Sequence, residues 1–175
     1  MKCKTLLFFC LLSSAFCLFS GCQPGNVRQN QKIDYSKIAG TWKAEKGPWK
    51  IVINDHGVIT QARIVMCTDD LYPNKTTYVE MRDGQISTFQ AGNFELNYDS
   101  THNLMEVHLK LKKILVKIKN EKLEGKKELI FAGNLSNDMN TWSAEMVEFF
   151  DYGPRFPQDK NNITPTYITF VKQKD

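Results

Sequence analysis

Cys67 is the only cysteine beyond position 22, and a thiol with a histidine beside it in space could serve as a nucleophile. It follows Ile64-Val65-Met66, and a lone cysteine after an apolar run reads first as a small buried residue. The three histidines, His56, His102 and His108, fall on a turn, a turn and a strand, with no spacing that brings two to one metal ion. Asp69 and Asp70 alone do not make a calcium loop. No Gly-x-Ser-x-Gly elbow, His-Glu-x-x-His pair, phosphate-binding glycine loop or dinucleotide fingerprint occurs. The sequence therefore predicts no catalytic residue, no metal site and no cofactor. Paired carboxylates leave no local signature, which keeps open a weaker alternative: an enzyme with an unseen site, built on Cys67 or on such a pair.

Residue types suited to binding are more concentrated. Phe149, Phe150, Tyr152, Arg155 and Phe156 crowd the run Phe149-Phe150-Asp151-Tyr152-Gly153-Pro154-Arg155-Phe156-Pro157, read as a turn-rich loop after a strand. Such a loop can line a mouth and hold an apolar ligand or a partner surface. The competing reading folds its aromatics down as a cap on the core, with Arg155 stacked on a ring. Lys110, Lys112, Lys113, Lys117, Lys119, Lys122, Lys126 and Lys127 crowd one hairpin, but Glu121, Glu124 and Glu128 interleave with them. That pattern fits a solvated face that protects strands from edge pairing, with contact to anionic lipid as the alternative.

The amino end has its own chemistry. Met1-Lys2-Cys3-Lys4 precedes an apolar run from Leu6 to Phe19, and small residues follow at Ser20-Gly21. A positive start, a short apolar stretch and a small-residue cut site make a secretory signal; the run is marginal for a spanning helix. Phe19-Ser20-Gly21-Cys22 resembles the lipobox of bacterial lipoproteins, with Phe19 where leucine is usual. The resemblance implies that Cys22 is acylated, for instance with palmitate, becomes the first mature residue and anchors the protein to a membrane of the bacterial cell envelope. By the same analogy Gln23, not being acidic, points to the outer membrane, facing the periplasm or the surface.

Processing changes the arithmetic. Cys3, Cys10 and Cys17 leave with residues 1–21 and Cys22 carries lipid, so no disulfide is predicted. Loss of Lys2 and Lys4 lowers the formal charge from +4 to +2, which gives no electrostatic reason to bind nucleic acid. Residues 22–36 are polar and amide-rich, as in a disordered tether, and 37–175 are enough for one domain with its own core.

Those residues must be positioned by strands, because the dominant period in the domain is two. Trp49, Ile51 and Ile53 alternate, as do Val58, Thr60, Ala62, Ile64 and Met66 across the turn Asn54-Asp55-His56-Gly57. Thr77, Val79 and Met81, then Phe94, Leu96 and Tyr98, repeat the pattern. Val107, Leu109 and Leu111 share a face until Lys112-Lys113 shifts the parity to Ile114, Val116 and Ile118, which predicts a β-bulge. Further strands are expected over 123–132, 141–150 and 165–171, with one short turn of helix near 35–39. The fold class is thus all-β: a small antiparallel meander of about eight to nine strands, a sandwich or, better, a barrel, since closure removes edges.

Gly40-Thr41-Trp42 at the first strand resembles the Gly-x-Trp opening of lipocalins and related calycin barrels. Lipocalins cover that tryptophan with an arginine near the last strand, whereas residues 165–175 hold none. Trp42 is expected to plug the closed end of the barrel and to donate one hydrogen bond. The resemblance implies a lipocalin-like barrel that binds a small apolar ligand or an envelope partner without catalysis. The alternative is a barrel filled by its own side chains that works through its surface.

Overall fold

The computed structural model describes residues 33–174 other than 66, 68, 81–85, 119–120, 155 and 160–162. Cys22 and the segments expected from sequence to be a signal and a tether lie wholly or mostly outside the described residues. Among the described residues nine strands form one antiparallel sheet: β1 (Gly40–Ala44), β2 (Lys50–Ile53), β3 (Ile59–Arg63), β4 (Thr76–Glu80), β5 (Ile86–Asp99), β6 (Leu104–Ile118), β7 (Glu121–Leu135), β8 (Thr141–Asp151) and β9 (Thr166–Lys172). Their order is β3-β2-β1-β9-β8-β7-β6-β5-β4, a meander curled into a half-barrel. The period-two reading of the sequence is borne out.

Strand direction explains where the curl stays open. β9 is antiparallel to β1, so alternation round the sheet makes its edge strands, β3 and β4, run the same way, and no antiparallel ladder can join them. Leu71, on the segment between them, runs back along β3 and exchanges two bonds with Ala62, N–H to O at 2.9 and 2.7 Å. A turn follows, and Asn74 N–H reaches Gly92 O on β5 at 2.9 Å. One end of the curl is tied in this way.

Inside the curl, register places Leu96, Val107, Phe131 and Met146 side by side across β5 to β8. The Trp142 ring stacks on Phe170 at 4.9 Å, and Phe131 meets Trp49, Phe170 and Trp142 at 5.4, 5.8 and 6.3 Å. Trp42, Phe131, Trp142 and Phe170 are fully buried. Burying each such side chain is worth roughly 1.5–3 kcal/mol, and the offset and edge-on geometries add to it.

A short 3-10 helix, Tyr35–Lys37, starts where Asp34 caps Ser36 N–H at 3.1 Å. Trp42 Nε1 donates to Ile38 O just beyond that helix at 2.8 Å, as expected of a plug. Lys172 on β9 lies 5.9 Å over the Trp42 ring and donates to Lys37 O at 3.0 Å. A lysine of the last strand thus covers Trp42.

The bulge falls where the parity change places it: Lys112 and Lys113 together oppose Lys126 alone, between the pairs Leu111↔Lys127 and Ile114↔Gly125. One reading needs correction. Val58 is exposed and Ile59 buried, because the β2–β3 register shifts at Ile53↔Ile59 and moves Thr60 off the core face. Residues 86–99 form one strand, bulged near Gly92-Asn93, which extends the alternation of Phe94, Leu96 and Tyr98 back toward Ile86.

Candidate functional site

β8 outruns its neighbour. Its last pair with β9 is Met146↔Thr166, and past it no described β9 residue pairs with β8. The Gln158 side chain takes that place: Nε2 donates to Glu148 O at 2.7 Å and Oε1 accepts Phe150 N–H at 2.9 Å. Asp151 Oδ1 accepts Gly153 N–H at 2.9 Å, and Gly153, at φ +80°, turns the chain through the left-handed region that glycine enters without strain. Phe156 N–H then donates to Gly153 O at 3.1 Å. These bonds hold Gly153, Phe156 and Gln158 back against the strand.

Alternation decides which way each aromatic points. Trp142, Ala144 and Met146 are buried inside the curl, so Phe150 continues that face and Phe149 belongs to the outer one. Both sit at the end of β8, within the strand expected over 141–150, and the loop begins after Asp151. Phe150 and Tyr152 meet at 5.4 Å, and the Tyr152 ring covers Gly125 so closely that any Cβ there would run into it. Burial first, then the charge of Glu148, pushes the Tyr152 hydroxyl pKa up.

Phe149, Phe150, Pro154, Phe156 and Pro157 line a trough of about 870 Å³ between the loop and strands β6 to β8, with Lys110, Lys112, Lys126, Lys127, Glu128 and Asp151 among its other walls. Of the residues singled out from sequence, Phe149, Phe150 and Phe156 are brought together here and Tyr152 packs on Gly125. Arg155 and Cys22 lie outside the described residues. Sequence reasoning missed Gln158, whose role depends on the strand edge left by β9.

The charges around the trough fall into two kinds. Lys110 pairs with Glu95 at 2.8 Å and approaches Glu128 at 3.9 Å, and Lys127, with its side chain 7% exposed, pairs with Glu148 at 2.7 Å. His108 sits alongside, between Glu106 at 2.6 Å and Glu128 at 3.3 Å. The bond from His108, then that from Asn97, lowers the Glu106 pKa. Lys112 and Lys126 are exposed and have no ion-pair partner among the described residues.

The groups weighed for chemistry are placed elsewhere. Cys67 is buried, and burial, reinforced by Asp69, pushes its thiol up to about 12, where little nucleophilic thiolate exists near neutral pH. Asp70 is a structural tie, accepting from Lys50 at 2.6 Å, from Arg63 at 2.9 Å and from Gln61. Among the described residues no three His, Cys, Asp or Glu side chains gather as a metal set, and no helix is long and apolar enough to cross a membrane.

Comparisons with protein-family models, curated proteins and solved structures found no match to this chain. Its class is defined by its own geometry: an all-β half-barrel with a filled core and an aromatic, lysine-edged trough between strands β6 to β8 and the loop that follows β8.

Proposed function

We propose that this chain is a non-catalytic binding lipoprotein, anchored in a bacterial envelope membrane by acyl chains on Cys22, outer membrane by the Gln23 analogy. It holds a small apolar ligand, or an apolar segment of an envelope partner, in the trough beside β8. The observation that carries this reading is the trough itself: about 870 Å³ is within the range of small-molecule sites, and apolar rings form its walls. Phe156, 45% exposed, offers ring surface that an occupant would cover. The fully buried aromatic cluster inside the curl favours a site on the outer surface over an internal cup. The flexible tether read in residues 22–36 would let the domain work away from the lipid surface.

The test is native mass spectrometry of the chain recovered from its own host's membranes, comparing wild type with Phe149→Ala/Phe156→Ala. A defined small mass, released on denaturation and lost in the double variant, is the expected result; an adduct retained in that variant overturns the trough as the site. In parallel, Cys22→Ala should abolish fatty-acid labelling, and undiminished labelling would overturn the anchor.

A further inference from the structure

Resting on the trough as the binding site, we infer that it selects an acidic amphiphile, whose carboxylate sits between Lys112 and Lys126 and whose apolar body lies on Phe149, Pro154, Phe156 and Pro157. The carboxylates already in the walls are engaged: Glu128 with His108 and Lys110, Asp151 with Gly153 N–H. In the β6 bulge, Lys113 is neutralised by Glu124 at 3.1 Å. Lys112, whose side chain runs over Gly92 on β5, and Lys126, which is in register with Asp151 on β8, line the same trough without an ion pair among the described residues. A carboxylate held between two unpaired lysines of one trough gains from both charges. The apolar rings beside the pair supply the other half of an amphiphile's needs, since an acidic head alone would gain little from two solvated lysines.

The experiment uses the full chain in zwitterionic lipid nanodiscs, with empty discs as blank, and titrates 4-phenylbutyrate against its neutral counterpart 4-phenylbutanol by saturation-transfer NMR. The acid should bind about fivefold more tightly at low salt, an advantage that shrinks at about 0.5 M salt as screening grows. Lys112→Met/Lys126→Met should keep the wild-type amide spectrum away from the trough while losing the acid's advantage over phenylbutanol. Equal affinity of acid and alcohol for wild type would overturn the carboxylate inference and leave the apolar trough standing. Binding of neither would overturn both. Retention of acid selectivity in the double variant would place the recognising charge elsewhere and overturn the inference.

Discussion

The two faces of β8 differ in what they ask of their residues. On the inner face Trp142, Ala144 and Met146 are buried, and the Trp142 ring is stacked on Phe170 within a cluster that leaves little freedom for change. On the outer face Phe149 borders a trough roofed by a loop, and that loop is held by a few hydrogen bonds to Gln158 and Asp151. One strand therefore serves stability with Trp142, Ala144 and Met146 and recognition with Phe149 and Phe150 at its end.

The comparison breaks most visibly at Phe131. Phe131→Ala should cost about 3–5 kcal/mol in denaturant unfolding, the usual penalty for emptying a buried aromatic site. Glu148→Gln should cost about 3 kcal/mol by breaking the buried pair with Lys127, while Lys127→Met/Glu148→Leu should recover most of it in a double-mutant cycle. A loss equal in the single and double variants would show that the pair is not the stabilising feature.

Asp70 gives a smaller effect with a pH signature. Burial raises its pKa, but the bonds and charges of Lys50 and Arg63 outweigh burial and leave it below the usual carboxylate range. A depressed pKa means that its stabilisation is fully present above about pH 4 and disappears as pH falls through the lower folded value. Asp70→Asn should thus cost about 2 kcal/mol at pH 7, and the gap to wild type should narrow in acid. Phe156→Ala should change stability least, within about 0.5 kcal/mol, while weakening any trough ligand. A cost above about 2 kcal/mol would move Phe156 from recognition to core.

Much of this was legible in the residues themselves. Period-two runs gave away the strands, and the doubled lysine at 112–113 gave away a bulge because it shifts parity within a single strand. What escaped depended on partners distant in sequence. Ile59, not Val58, is buried because β3 slips against β2, and nothing local marks that slip. Lys127 reads as one more solvated lysine until folding brings Glu148 beside it on the next strand. Lys172 covers Trp42 from a strand more than a hundred residues away, and nothing local to Trp42 marks it. The candidate aromatics were visible as a group, but the side of the sheet each would face was set by where β8 ends and where Gln158 returns.

The central claim is that recognition uses the outer trough and not the interior of the curl. An amide and indole NMR spectrum of the chain, recorded while 4-phenylbutyrate is added, tests it directly. The amides of Lys126, Phe149, Phe150 and Gly153 should shift, and the indole N–H signals of buried Trp42 and Trp142 should stay in place. Shifts of those indole signals with silence around Phe149 and Gly153 would contradict the account and put the ligand inside.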